Sequence, residues 1–366
     1  MSTLTSRRDV MRLIGAGAAA VLVRAVRASE NQLRFSAGAV IRTVLKDLPP
    51  EALAGGATLS HEHLSVGPEF MPSVMAKFRA LLGPAAILPA LPADQRLMQD
   101  PAVIAQELRL AGKEGVACIV DAGHPDMGRS LQVLRQLSLD SGMAIVASGG
   151  YYTSPFYPPE IARWSESQIT EELVRQVRAE PIGAFGEIGT WDVMTADERK
   201  VFRAVGRAHL ASNLPIFTHT NMGQGAQQQL DVLEAVGVRP ERVAIGHLGG
   251  LADPRAAIPK ALCKRGAFVG FDRQGGPGDT GQIPAVLALL EAGYASQLLF
   301  ASDFSFASDL KRSGGAGYAK TVTVFAPKLR QAGVSEAVVH GMLVDNPRRF
   351  LACVPNFPRP DAAEHL

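Results

Sequence analysis

Eight short apolar runs, separated by amphipathic stretches, set the strongest limit on what this chain can fold into. The runs cover residues 57–60, 116–122, 143–149, 182–188, 214–218, 243–246, 267–272 and 297–302. They are rich in Val, Ile, Ala and Phe and carry little charge, as strands covered on both faces of a parallel sheet must. Helical periodicity fills the gaps, over residues 171–178, 196–212, 227–236, 283–292 and 318–331. Strand followed by helix, eight times over, predicts an α/β protein built as a (β/α)8 TIM barrel. A doubly wound open sheet is the competing architecture, but no glycine-rich phosphate fingerprint follows the first run. The 366 residues, 47% of them hydrophobic, suffice for one such domain.

Most of these runs end on a chemically active residue. His61, Asp121, Glu187, His219, His247, Asp272 and Asp303 lie at or just beyond run ends. In a barrel of this kind the strand C-termini share one face, and catalytic groups collect there. His61 and His63 are two apart in an extended segment, so both imidazoles point the same way. The order His-x-His, acid, His, His, Asp is the ligand set of a binuclear hydrolase. Two close cations need a bridging anion, and Glu187 is the acidic candidate on the fourth run. Imidazole with carboxylate suits zinc first, with manganese, cobalt or iron as alternatives. His124, in DAGHPD, either lines the pocket or caps a turn. His209, His340 and His365 are expected at the surface.

The N-terminus reads differently. Ser6-Arg7-Arg8-Asp9-Val10-Met11-Arg12 precedes an apolar stretch, Leu13 to Val23, and Val26-Arg27-Ala28 follows. Those eleven apolar residues are too few to span a bilayer core of about 30 Å. Residues 1–28 therefore read as a twin-arginine-type export signal, with a periplasmic or secreted product and no stable membrane anchor. Residues 29–366 remain as one barrel domain. The formal charge of +2 gives no basis for nucleic-acid binding. Cys118, Cys263 and Cys353 are odd in number and lack metal-ligand spacing, so no disulfide framework is expected, and Cys118, inside an apolar run, is expected as a small core residue. Two loops are expected over the catalytic face: residues 65–99, rich in proline, and residues 274–282, rich in glycine.

The segments TLSHEHL, GEIGT, IFTHT, GFDRQG, ASDF, GGAGYAKTVTVFAPKLRQAGVSE and DNPRRFL, with residues 243–248, resemble the phosphotriesterase family of amidohydrolase-type barrels. The resemblance runs from about Ile41 to Phe350. It implies one divalent metal on His61, His63 and Asp303, a second on His219 and His247, and Glu187 between them. A shared hydroxide would be the nucleophile, and Asp303 would move its proton to the leaving group. Three departures separate the chain from the phosphotriesterases proper. Glu187 stands where they have a carboxylated lysine, Arg273 where they have a relay histidine, and Leu248-Gly249-Gly250 where an acidic residue follows the sixth-strand histidine. Asp272-Arg273 and Tyr151-Tyr152 instead resemble the lactonase-type branch. Tyr151 and Tyr152 would then supply a hydroxyl and a ring wall. Arg273 would either receive the ring-opened carboxylate or pair with Asp279. The expectation is a metal-dependent lactonase acting on a small ester or lactone, as a homodimer. An organophosphate tri- or diesterase is the alternative, and a non-catalytic metal-binding barrel a minor one.

Overall fold

In the computed structural model, which describes residues 33–83, 91–276 and 278–360, the eight apolar runs form one eight-stranded sheet. Its strands are β1 (Ala57–Glu62), β2 (Val116–Asp121), β3 (Ala144–Gly149), β4 (Ile182–Gly189), β5 (Ile216–His219), β6 (Val243–Ile245), β7 (Phe268–Phe271) and β8 (Leu298–Phe300). Every strand pairs parallel with its sequence neighbour. The ring closes where β8 meets β1. There the Asp303 N–H donates to His61 O (3.1 Å) and the His63 N–H to Phe304 O (3.3 Å). The Ser60 hydroxyl donates to Phe300 O (3.4 Å). This is the (β/α)8 barrel that the alternation predicts.

Side-chain alternation along the strands divides the core in two. Cys118, Val120, Val146, Ala184, Phe217, Ala244 and Leu299 fill the interior with Phe350. Their neighbours Ile119, Ile145 and Ala147 belong to a separate cluster with Leu108, Leu134 and Leu137 of the covering helices. Burying each Leu, Ile or Phe contributes about 1.5–3 kcal/mol. The helices follow in order: α1 (Phe70–Leu82), α2 (Pro101–Lys113), α3 (Leu131–Ser141), α4 (Glu166–Ala179), α5 (Ala196–Ser212), α6 (Ala226–Glu234), α7 (Ala257–Arg265) and α8 (Asp279–Glu291). Capping boxes start α4, at Ser165 and Gln168, and α5, at Thr195 and Glu198. The three cysteines are free and buried.

The structure corrects several expectations. Residues 65–99 are not simply a loop, because α1 lies within them. Pro72 is compatible with α1 because it falls in the first turn, where an N–H has no helical acceptor. The glycine-rich segment is shorter than expected, since α8 begins at Asp279. Helical periodicity over 318–331 becomes a π-turn, Thr321–Phe325, followed by α9 (Ala326–Gln331). Pro327 has no N–H for the preceding turn, which loosens the winding there. His209 is buried, not at the surface, with Nδ1 2.6 Å from Leu214 O. It shares the inward stripe of α5 with Val201, Val205 and Ala208. His340 is exposed as expected. The export segment and His365 lie outside the described residues.

Candidate metal centre

The strand C-termini bring six side chains into one cluster. Glu187, near the end of β4, is its centre. Its Oε2 lies 2.7 Å from His219 Nδ1, 3.2 Å from His61 Nε2 and 3.4 Å from His247 Nε2. Its Oε1 lies 3.4 Å from His63 Nε2. Asp303 Oδ1 stands 3.2 Å from His63 Nε2 and 3.9 Å from His61 Nε2. His247 and Asp303 both hold left-handed backbone, at φ 60° and φ 50°. Such strain in non-glycine residues costs on the order of 1–3 kcal/mol and persists where the surroundings fix it.

The donor set fits divalent metal. Among the described residues three groups have ligand atoms within 4.8 Å of one another: His61/His63/Glu187, Glu187/His219/His247 and His61/His247/Asp303. Glu187, His61 and His247 each belong to two of them, and of the three Glu187 alone is an anion with two oxygens to share. His61 Nε2 is buried and has no hydrogen-bond partner, although it points into the cluster. The electrostatics agree. Burial pushes the Glu187 carboxyl up, but His61 and His219 beside it hold it well below the ordinary carboxylate range. Burial also opposes charge on Asp303, yet the His63 hydrogen bond with the His247 and Arg273 charges keeps it well below. Burial would lower His61, but Glu187, Asp272 and Asp303 outweigh it and raise it to about 10. His219 goes the other way, to about 4, through burial with His247 and Arg273 nearby. The ionised carboxylates thus hold a proton on His61, and a cation bound there would displace that proton.

Asp272, one residue past β7, stands behind two of the imidazoles, a placement that reading the ligand set from the sequence does not assign to it. Its carboxylate accepts the His247 backbone N–H on both oxygens (3.0 Å each). Oδ1 also lies 2.7 Å from His247 Nδ1, and Oδ2 lies 3.5 Å from His61 Nδ1. A carboxylate behind an imidazole fixes the ring's tautomer and aim. Its place at the end of an apolar run was the available signal.

Access is one-sided. The five residues of the cluster other than Asp303 are buried. The Asp303 side chain is 18% exposed and that of Arg273 36%, so the opening lies on their side. Arg273 Nε pairs with Asp303 Oδ2 at 3.1 Å. Asp279 instead accepts a hydrogen bond from Lys328 Nζ (2.6 Å). Tyr152 reaches the cluster, its hydroxyl 3.4 Å from His219 Nε2. Tyr151 does not: it packs in the outer core against Tyr157. Adjacent residues of an extended segment face opposite ways, so the pair could not both enter. His124 is buried beside Asp126 (3.4 Å), and no metal-capable group among the described residues includes it. Asp126 Oδ2 accepts the Tyr152 N–H (2.9 Å).

An aromatic wall extends outward from His219. Tyr152 packs edge-on against it (4.9 Å between centroids), and Phe70 of α1 and Phe156 pack on Tyr152 at 5.7 and 5.3 Å. Trp191 continues the wall beside Phe156 (5.8 Å) and Phe78 (4.4 Å). Glu198 braces it by accepting the N–H groups of Ser154 and Trp191, which joins the loops after β3 and β4.

Comparison with known proteins agrees with this geometry. The sequence profile of the phosphotriesterase family matches residues 41–351. The phosphotriesterase homology protein of Escherichia coli is 33% identical over 305 residues, covering 81% of this chain and 97% of that protein. An N-acetyltaurine hydrolase of Tetraodon nigroviridis is 26% identical over 342 residues, 85% of this chain and 97% of that one. The crystal structure of a lactonase from Listeria monocytogenes superposes with a TM-score of 0.72 at 26% identity, covering 85% of this chain and 98% of the other.

Proposed function

The chain belongs to the phosphotriesterase family of hydrolases, and on that premise we propose that it is a two-metal enzyme that opens lactones. The observation that carries the reading is the buried cluster around Glu187, with imidazoles on both of its oxygens and an opening at Asp303 and Arg273. Zinc is the first choice for both positions. Two divalent ions held there would supply a water of lowered pKa and polarise the bond to be cut. His61, His63 and Asp303 would hold one ion, His219 and His247 the other, with Glu187 shared. Asp303, at the opening, takes the proton released by water and returns it to the departing alkoxide. Arg273 binds the carboxylate that ring opening creates. Tyr152 and the aromatic wall exclude water and receive the apolar part of the substrate.

An organophosphate ester is the competing substrate. A panel of lactones, aryl triesters, diesters and N-acyl amides on metal-reconstituted protein tests the reading. It predicts kcat/KM at least about a hundredfold higher on the best lactone than on the best triester, about 2.7 kcal/mol of transition-state preference. A triester preferred over every lactone overturns it. We also propose export through the twin-arginine segment. Arg7→Lys with Arg8→Lys should hold the protein in the cytoplasm, and normal periplasmic yield from that double variant rejects the route.

A further inference from the structure

Alternation along β1 sends Glu62 to the side opposite His61 and His63. The side chain is wholly buried, and both of its oxygens bind one segment just past β8. Oε1 accepts the Ser302 N–H (2.9 Å), Oε2 accepts the Phe304 N–H (2.9 Å), and the Ser302 hydroxyl lies within 2.9 Å of both. The two N–H groups flank Asp303, whose backbone is left-handed. At this seam the main chain adds the bonds between Asp303 and His61 and between His63 and Phe304. One strand thus presents two metal-capable imidazoles on one side and, from the residue between them, grips the segment that carries the third ligand.

We propose that Glu62 is a positioning residue that fixes Asp303 for the metal held with His61 and His63, while the metal on His219 and His247 is independent of it. The inference rests on the two-metal reading. A carboxylate suits the task because both oxygens accept, and both face main-chain donors. An amide would turn an NH2 toward one N–H and release it. The left-handed Asp303 would then lose a restraint that holds it. His219 ends β5 and His247 lies past β6, and their short contacts, with Glu187 and Asp272, involve neither Glu62 nor Asp303.

The test uses full-length protein, wild type, Glu62→Gln and Glu62→Ala, titrated with cobalt or zinc against a chelator, with hydrogen exchange at the Ser302 and Phe304 amides of the metal-free protein alongside. Wild type should bind two equivalents. Glu62→Gln should weaken one site about tenfold to a hundredfold, the range for groups that support ligands, and leave the other within about threefold. Exchange should quicken at Phe304 or Ser302. Glu62→Ala should retain one equivalent. Both sites unchanged in Glu62→Gln, or both weakened alike, overturns the inference while the two-metal reading stands. Wild type binding fewer than two equivalents overturns that reading and this inference with it.

Discussion

Replacing Asp272 with asparagine keeps the side chain's size and removes its charge. Three polar contacts converge on this buried carboxylate: the His247 N–H at 3.0 Å, His247 Nδ1 at 2.7 Å and His61 Nδ1 at 3.5 Å. The ring contact is the shortest and is charge-assisted. A hydrogen bond to a charged group contributes about 1.5–3 kcal/mol. Asparagine keeps one accepting oxygen, so the backbone N–H can stay paired while the His247 ring loses its anionic partner. A loss near 2 kcal/mol corresponds to about a 30-fold weaker metal affinity at the site that uses His247. That lies within the 10–100-fold typical of groups behind metal ligands. Competition with a chromophoric chelator at fixed pH measures it, with a denaturant midpoint recorded in parallel. Metal affinity within threefold of wild type at both sites would refute the argument that Asp272 aims the imidazole. So would a collapse of folding stability large enough to account for the metal loss.

Three further outcomes follow from the site and the core. Glu187→Gln removes the shared negative charge, so it should lose at least one metal and most activity; elemental analysis beside a rate assay decides this, and normal values for both make another group the bridge. Arg273→Ala should lower kcat/KM on lactones more than on triesters, and equal losses would make Arg273 structural. Burial lowers the His209 pKa, so the unfolded chain takes up that proton first as pH falls. This contribution to stability is therefore intact well above about pH 6.5 and falls as pH drops through the unfolded value toward the folded one. Urea midpoints at several pH values, for wild type and His209→Gln, should show a smaller acid loss in the variant, and parallel curves would remove His209 as a source.

The barrel was legible because each strand is buried almost throughout and leaves a nearly uninterrupted apolar run. The cluster was legible for a related reason: a histidine or carboxylate that ends such a run on its inward phase enters the space above the barrel, whereas Glu62 and Asp121, also at strand ends, bind main-chain N–H groups instead. What escaped depends on phase or on tertiary contact. Tyr151 and Tyr152 stand side by side in sequence, and only the chain's rotation after β3 decides which one meets His219. Helix α1 was obscured by its proline-rich surroundings, although its aromatic residues pack on Trp191 and Phe156. His209 looks like a surface residue until its alignment with Val201 and Val205 on α5 is counted. Glu62 carries no local mark of its role, and the run end at Asp272 marks a site without naming a partner, because the partners lie on the segment after β8 and at His247, two residues past β6.

The central claim is that Glu187 joins two metals in one hydrolytic site. Its most direct test is to titrate metal-free protein with zinc while following both bound metal and the initial rate on a reactive lactone. Binding and activity should rise to a break at two equivalents per chain, and Glu187→Gln should abolish that second equivalent and the activity with it. Full activity at one equivalent, with no further metal bound, would contradict the account.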